Sequence, residues 1–508
     1  MAPESARKNA SAGRRHAAAD DDSVATTVDS SGSGSQPLSL TSEELKDCPD
    51  LVAVDGRLYD LAGFAKVHPG GAVIEAAGAY DATGLYYSMH AGRDPTKSEL
   101  LQRFHVGKHV RHADTDCAYV YDSPFAKDLI KTVRAEMGAT SWYAPAGFWL
   151  RTLAICSLTL FFEYYWITTG GLLWACLVAA AHAQIGLAVQ HDASHGALSP
   201  NPTVNALFSY GADWIGNNRW IWLQQHVLWH HPYTNHHDYD PDASSAEPLL
   251  VFSDYTKLKK QGQKLALKPL VQFQDFITHA VLCFYGPSLV YNFLAVLTMK
   301  HNDHIPDATA SGPFMAKQKP LALFFRVFYF ARVVLAPWYV GGASLLVSLF
   351  FVSALTGVFL TFLFVVSHNF EGSDRDPLRL VATATAIAAS ATPSKVHTRR
   401  SAASAATADT AATPPPSICW YQAQVETSCT YGGTFAMLTT GGLNLQIEHH
   451  LFPRLSSWYY PKIHSAVRQC CERHGVVYKY YPSLWSNTVS MLRYMREVGV
   501  MTVLAHAE

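Results

Sequence analysis

The sequence predicts a multi-domain chain, in which a small α+β domain is followed by an all-α integral membrane domain. Three observations support this prediction. They are short apolar strands around an Asp-Gly turn, four long apolar blocks, and three clusters of histidines next to those blocks. We divide the chain into a tail (1–40), a first domain (41–110), a linker (111–145) and a membrane domain (146–500).

Composition narrows the classes of function that the chain can have. The net charge is −1 at pH 7, which gives no support for a nucleic-acid partner. The nine cysteines form no CxxC pair, which argues against a disulfide framework and against a cysteine metal site. Residues 1–40 are rich in Ala, Ser, Asp and Gly, and residues 376–417 are a low-complexity insertion. We predict that both segments are disordered.

The first domain contains two histidines in a pattern that suits haem. Residues 52–61 predict two short strands around the Asp-Gly turn. His68 begins the sequence HPGG, and His90 follows 22 residues later, after a predicted helix over Val73–Ala77. Two histidines on opposite sides of an apolar pocket suit bis-imidazole haem ligation, which serves electron transfer. The alternative is a turn with an exposed histidine.

Each of the four apolar blocks is close to the ~20 residues that a membrane helix needs. Glycine pairs separate the first block from the second and the third from the fourth, so the blocks predict two helical hairpins. The alternative is a set of buried helices in a soluble protein, which Arg151 and Glu163 would allow. The blocks are Trp149–Ile167, Leu172–Val189, Leu321–Val340 and Ala343–Val366.

The segment Phe273–Leu297 lies between the two hairpins and is interrupted by Gly286-Pro287-Ser288. We predict that it is amphipathic or re-entrant and does not cross the membrane. Each hairpin returns the chain to the side from which it came. The first domain and all three histidine clusters are therefore expected to face the same compartment, with a helical cap on that side.

The histidine clusters have the composition of a metal site. Imidazole is a good ligand for iron, copper, nickel and zinc, and a single zinc is satisfied by about four ligands. Seven histidines are thus enough for two metal ions, although a lone histidine near a membrane is more often structural. The aspartates at 238, 240 and 242 predict a solvated loop or hydrogen-bond partners for the histidines. The clusters are His191 and His195, then His226, His230 and His231, then His449 and His450.

Four motifs in this chain resemble one family. HPGG with a later histidine, followed by HDASH, HVLWHH and QIEHH, is similar to the front-end fatty acid desaturases that carry an N-terminal cytochrome b5 domain. The resemblance covers residues 50–370 and 420–500. It implies that two non-haem iron ions and haem b introduce a cis double bond between an existing double bond and the carboxyl end of a long polyunsaturated acyl chain.

The resemblance also implies partners and a location. The acyl chain would be carried on phospholipid or coenzyme A, O2 would be the co-substrate, and NADH-cytochrome b5 reductase would supply electrons. The membrane would be that of the endoplasmic reticulum, with the haem domain and the histidine clusters in the cytosol. No nucleic acid is involved.

The site residues follow from the same resemblance. The axial haem ligands would be His68 and His90, and Gln446 would lie at or near the metal. His368, directly after the last apolar block, stands where related membrane desaturases supply a further ligand. The implied metal ligands are then His191, His195, His226, His230, His231, His368, His449 and His450.

Several functions remain open at this stage. Stretches such as HHPYTN and SHNFEGSDRD look most like delta-5 enzymes acting on C20 substrates. The alternatives are delta-4 action on C22, delta-6 or delta-8 action, and a sphingolipid long-chain-base desaturase or hydroxylase. An alternative from a different functional class is a membrane-tethered haem electron carrier whose histidine clusters are degenerate. A zinc hydrolase is disfavoured because no HExxH motif occurs.

Overall fold

The computed structural model describes residues 38–110, 119–236, 239–244, 249–252, 268–300, 312–373 and 418–505. The predicted insertion over 376–417 lies outside the described residues, as do the predicted tail up to residue 37 and residues 111–118 of the predicted linker. Residues 38–40, which the tail prediction included, belong to a strand instead, because their backbone pairs with the sheet of the first domain.

The first domain is a four-stranded sheet with short helices. Its strands are β1 (Leu38–Thr41), β2 (Leu51–Val54), β3 (Arg57–Asp60) and β4 (His105–Val110). Their order is β1-β4-β3-β2, with β1 parallel to β4 and the other pairs antiparallel. Asp55 and Gly56 both have positive φ and form the predicted tight turn between β2 and β3. The helices are Ser42–Leu45, Leu61–Ala65, Ala72–Ala77, Thr83–Met89, Pro95–Lys97 and Glu99–Gln102.

Within the described residues, four helices are long and apolar enough to cross a membrane. Each overlaps one of the predicted apolar blocks, which confirms the prediction of four membrane helices in two hairpins. Leu150, Leu153 and Leu346 are 70%, 64% and 74% exposed, so the outward faces of these helices suit lipid and not water. We name the helices span 1 (Ala146–Thr169), span 2 (Leu172–Ser194), span 3 (Pro313–Tyr339) and span 4 (Val347–His368).

The segment between the hairpins differs from the prediction in where it breaks. Gln274–Tyr291 is one helix that continues through Gly286 and Pro287, and the break falls at Asn292, before the helix Phe293–Thr298. Span 4 packs closely against the helix at this point, since a Cβ added to Gly286 would lie 2.9 Å from the Gly357 Cα. Two glycines therefore let the backbones of this helix and span 4 approach each other closely.

The other helices position the histidines and form a cap with its own core. In that cap, Leu129 and Val133 of the helix Pro124–Met137 pack with Ile463 and Val467 of the helix Tyr460–His474. Two short parallel pairs of strands, Tyr119–Val120 with Ile418–Cys419 and Thr430–Tyr431 with Tyr480–Tyr481, join distant parts of the chain. The remaining helices are Pro202–Ser209, Gly211–Trp214, Arg219–Trp222, Leu223–His230, His231–Tyr233, Pro241–Ser244, Lys268–Val271, Trp420–Glu426, Thr434–Thr440, Gln446–Leu451, Ser457–Tyr459 and Leu484–Ala505.

Candidate functional site

All three histidine clusters meet in one buried site, and His368 at the end of span 4 joins them. Their ring nitrogens form two adjacent groups, within each of which the nitrogens lie no more than 4.8 Å apart. His231 lies between the groups, close to His449 and His450. The first group is His191, His195, His226 and His449, and the second is His230, His368 and His450.

Two π-helical segments carry the histidines of the first two clusters. Gly186–Gln190 is π-helical directly before His191, and Leu223–His230 is π-helical and carries His226 and His230, with His231 starting the α-helical turn that follows. A π-helix pairs residue i with residue i+5, and such segments often occur at functional sites. Here the wider turn brings the Nε2 atoms of His226 and His231 to 3.2 Å from each other.

The nitrogen atoms are arranged as a set of metal ligands would be. The Nε2 atoms of His191 and His226 face each other at 3.2 Å, and those of His195, His230 and His449 have no hydrogen-bond partner among the described residues. Metal–imidazole bonds of about 2.0–2.1 Å place two ligand nitrogens roughly 3–4 Å apart. The donor set thus fits metal ions, and borderline ions such as iron suit an all-imidazole set.

The other nitrogen of several rings is held by a hydrogen bond. Nδ1 of His230 lies 2.9 Å from the Asp240 carboxylate, and Nδ1 of His449 lies 3.1 Å from the Tyr460 hydroxyl. Nδ1 of His450 lies 3.0 Å from the Gln424 side chain, and Nδ1 of His368 lies 3.1 Å from a backbone carbonyl. Such partners fix the ring orientation and leave Nε2 free for a metal.

Protonation also favours metal binding. Burial is the main cause that lowers the pKa of most of these imidazoles well below the usual value, and neighbouring histidines lower it further, so the rings are neutral near pH 7. His230 is different: burial lowers its pKa, but the charges of Asp240 and Asp242 outweigh burial and raise it. The imidazoles with a lowered pKa are those of His195, His226, His231, His449 and His450.

Gln446 reaches the second group of nitrogens. Its side-chain amide lies 3.2 Å from Nε2 of His368 and 3.4 Å from Nε2 of His450. The oxygen and nitrogen of an amide are assigned from hydrogen bonding, and either can face this group. Gln446 therefore contacts two histidines of the second group, and its place at or near the metal stays a prediction.

An apolar cavity opens from the histidine site between the spans. It holds about 1210 Å³ of empty space, including its open mouth. His191, His226 and Gln446 line it together with further polar side chains such as Asn217 and Asp242, and apolar side chains such as Leu187, Leu289 and Leu360 also line it. A largely apolar cavity with a few polar groups suits a long hydrocarbon chain.

The two histidines of the first domain face each other. The ring centroids of His68 and His90 are 6.4 Å apart, which leaves room for one metal atom at a bond length of about 2 Å to each ring. Nδ1 of His68 lies 3.2 Å from the Gly71 carbonyl, and Nδ1 of His90 lies 3.0 Å from the Tyr86 carbonyl, so both Nε2 atoms are free. Burial is the main cause that lowers the pKa of His90 to about 4 and keeps the ring neutral. This cradle fits a haem with two axial imidazoles.

Comparison with known proteins identifies the two parts of the chain. Residues 39–110 match the cytochrome b5-like haem/steroid-binding domain, and residues 166–482 match the fatty acid desaturase family. The chain belongs to the fatty acid desaturase family. It is therefore an oxidoreductase that acts on acyl lipids, of the front-end type with a fused cytochrome b5 domain. Membership favours the enzyme over the haem-carrier alternative.

Full-length relatives agree with this assignment. The chain is 30% identical over 463 residues to the acyl-lipid (7-3)-desaturase of Rebecca salina, with 91% of this chain and 93% of that relative covered. It is 31% identical over 468 residues to the acyl-lipid (7-3)-desaturase of Diacronema lutheri, with 91% and 93% covered. It is 26% identical over 468 residues to the acyl-lipid (8-3)-desaturase B of Dictyostelium discoideum, with 88% and 91% covered.

Sequence reasoning nominated every histidine that the structure brings together but missed most of their supporting partners. Gln424 and Tyr460 are distant in sequence from the rings that they hold, and no short-range pattern marks them. The sequence could have indicated Thr234, because it lies in HHPYTN next to two of the histidines. In the structure its hydroxyl is 3.1 Å from Nδ1 of His450. For Asp240, the sequence analysis offered two predictions: a place in a solvated loop, or a role as hydrogen-bond partner of a histidine.

Proposed function

We propose that this desaturase introduces a cis double bond on the carboxyl side of existing double bonds in long polyunsaturated acyl chains, with delta-5 action on C20 substrates. The observation that carries this proposal is that histidines of the buried site line a largely apolar cavity. A chain in that cavity presents its C–H bonds to the metal site and keeps water away from it.

We assign two non-haem iron ions to the histidine site. The ligands are the eight histidines at 191, 195, 226, 230, 231, 368, 449 and 450, with Gln446 beside the second group. Bound iron would supply the activation of O2. The role of the chain is to hold the rings neutral and oriented, to position the acyl chain and to exclude water. In the first domain, His68 and His90 would bind haem b, which passes electrons to the site.

A second regiochemistry, delta-4 action on C22 substrates, is our alternative. The delta(5) fatty acid desaturase A of Dictyostelium discoideum is 26% identical to this chain. The relatives at 30% and 31% identity are instead named (7-3)-desaturases. Because the chain is more similar to the (7-3)-desaturases, both C20 and C22 substrates must be tested.

The electron donor and location are also proposals. A cytochrome b5 domain accepts electrons from a reductase, and we propose NADH-cytochrome b5 reductase as that partner. We propose the endoplasmic reticulum membrane, with the haem domain and the histidine site on the cytosolic side, and either phospholipid or coenzyme A as the acyl carrier. The presence of all these histidine groups on one side of the spans supports a single compartment for electron entry and chemistry.

The direct test is expression in a yeast that lacks polyunsaturated acids, fed separately with C18, C20 and C22 polyenoic acids. Gas chromatography with mass spectrometry then locates any new double bond. A new bond at delta-5 of a C20 acid supports the first proposal, and one at delta-4 of a C22 acid supports the second. Absence of any new acyl product, with protein, haem and iron present, contradicts both and turns the search to sphingoid bases.

A further inference from the structure

Arg151 lies near the start of span 1, and some of its hydrogen-bond donors have no partner among the described residues. Its Nη1 lies 3.4 Å from the Gly441 carbonyl oxygen, which is a long contact. The Nε and Nη2 atoms are buried and have no hydrogen-bond partner among the described residues. A guanidinium has five N–H donors and no acceptor, and leaving buried donors unmatched is unfavourable. Arg151 can therefore donate further hydrogen bonds to an oxygen acceptor.

Aromatic side chains hold this guanidinium in place. Arg151 lies 4.7 Å from the ring centroid of Phe148 and 5.7 Å from that of Trp458. A ring face attracts the cation but does not replace an oxygen acceptor for its N–H groups. Trp458 also packs tightly on span 1, since a Cβ added to Gly147 would lie 2.5 Å from its ring. The position of Arg151 is therefore fixed without its hydrogen bonds being complete.

A short helix beside Arg151 exposes apolar side chains at the level of the spans. Phe435 and Leu438 of the helix Thr434–Thr440 are 75% and 66% exposed. The Gln184 side chain in span 2 donates a hydrogen bond to the Thr439 carbonyl at 2.6 Å, and Gly441 lies directly on Ala188. These contacts with residues inside span 2 place the helix at the membrane boundary, where exposed apolar side chains enter lipid.

The same region adjoins the catalytic cavity. Tyr431 and Leu443, on either side of this helix in sequence, both line the cavity. Arg151 also interacts electrostatically with Asp192, the residue after His191, whose carboxylate accepts a hydrogen bond from the Ser457 N–H at 2.9 Å. Arg151 therefore lies near the histidine site.

We propose that Arg151 binds an oxygen in the polar head of the acyl substrate, either a phosphate or the ester or thioester carbonyl. The acyl chain would pass from lipid beside the helix Thr434–Thr440 into the cavity. This inference rests on the proposed front-end reaction, in which the new double bond forms near the carboxyl end, so the head must lie near the metals. The planar fork of arginine suits such oxygens better than the point charge of lysine.

Binding is measured without turnover, so that this inference can fail separately from the proposed function. The full chain in detergent, kept anaerobic and without reductant, is titrated with two radiolabelled probes. One is phosphatidylcholine bearing a C20 polyenoic chain, and the other is the coenzyme A thioester of the same acid. The variants are Arg151→Gln and Arg151→Lys. Lys319→Gln is the matched control, because Lys319 is a half-buried cation near the start of span 3.

We expect Arg151→Gln to weaken binding of one or both probes at least tenfold and Arg151→Lys to weaken it less, with iron content and haem spectrum unchanged. Lys319→Gln should bind like the wild type. An effect on both probes identifies an oxygen that both heads share, and an effect on one probe identifies the head of that carrier as the bound group. Unchanged binding of both probes to both Arg151 variants overturns the inference. Arg151-dependent binding without any product in the yeast assay keeps this site and rejects the proposed reaction.

Discussion

The ring of Tyr80 in the first domain packs on the ring of Trp229, with the centroids 5.0 Å apart. Tyr80 is buried, and Trp229 directly precedes His230 and His231 in the π-helical segment. Leu223 and Val227 of the same segment share a hydrophobic core with the first domain. The first domain is therefore packed directly against the helical segment that carries three proposed metal ligands, His226, His230 and His231.

This contact predicts that Tyr80→Leu slows electron transfer from the haem to the histidine site. Loss of the aromatic contact loosens the packing between the two parts, and distance governs transfer between them. We expect reoxidation of the reduced haem, in the presence of substrate and O2, to slow at least fivefold in stopped-flow absorbance measurements.

Tyr80→Phe is the matched control, because it keeps the ring and removes only the hydroxyl, which has no hydrogen-bond partner among the described residues. It should reoxidise at the wild-type rate. The haem spectrum and iron content of both variants should match the wild type. Equal reoxidation rates in Tyr80→Leu and Tyr80→Phe would show that the stacked contact does not matter for transfer.

His449→Ala should abolish desaturation and leave the haem spectrum intact. His449 belongs to the first nitrogen group, whereas the proposed haem ligands, His68 and His90, lie in the first domain. Product analysis measures the activity, and metal analysis should show less non-haem iron per chain. His279→Ala is the control, since His279 is exposed and belongs to neither nitrogen group. Full activity in His449→Ala would remove this residue from the ligand set.

Short-range patterns account for what the sequence could predict. The spans follow from apolar blocks with glycine breaks, the haem pair follows from HPGG with a later histidine, and the metal site follows from histidines spaced four or five residues apart. Each of these signals lies within about two dozen residues of chain.

Contacts between distant residues account for what the sequence could not predict. The helix Gln274–Tyr291 continues through Pro287, and its Gly286 packs on Gly357 of span 4, which lies far away in sequence. The π-helical turn at His226 was not foreseen, because spacing of four also fits an ordinary α-helix. The packing of Tyr80 on Trp229 joins two domains, and no pattern in either domain marks it.

Asp240→Asn should weaken the metal site without removing a ligand. The Asp240 carboxylate holds Nδ1 of His230 at 2.9 Å, and loss of such a partner typically costs about 10–100-fold in metal affinity or activity. Iron retained after dialysis against a chelator measures this effect, together with product yield. Asp122→Asn is the control, since that carboxylate is 84% exposed and pairs with the exposed Lys127 at 3.5 Å, away from the histidine site. Iron retention equal to the wild type would argue against a supporting role for Asp240.

Asp128 should contribute to stability in a way that depends on pH. Hydrogen bonds from Arg473 at 2.9 Å and His474 at 3.0 Å join two cap helices, and they lower the pKa of Asp128 to about 2. A lowered carboxyl pKa stabilises the fold above the unfolded value of about 3.9, and this stabilisation is lost as the pH falls towards 2.

Thermal unfolding of Asp128→Asn should therefore show a lower Tm than the wild type at pH 7, by an amount equivalent to about 0.2–1 kcal/mol for a solvent-screened pair. The difference should persist at pH 5 and shrink between pH 4 and pH 2. A Tm difference that stays constant down to pH 2.5 would mean that the carboxylate charge is not its cause.

Gly357→Ala should force apart the helix Gln274–Tyr291 and span 4. A Cβ at this position would lie 2.5 Å from the Cα and the backbone N of Gly286, and backbone atoms cannot move aside as a flexible side chain can. Gly357 also lines the catalytic cavity, so the change should lower activity as well as stability. Overpacking of this kind costs about 1–3 kcal/mol, measurable as a fall in Tm of the detergent-solubilised protein. Gly171→Ala is the matched control in the other hairpin, because its φ is −75° and the added Cβ would lie in ordinary contact with Trp174 Cδ1 at 3.4 Å. It should leave Tm and product yield unchanged, and a wild-type Tm in Gly357→Ala would show that the two helices are less closely packed than described.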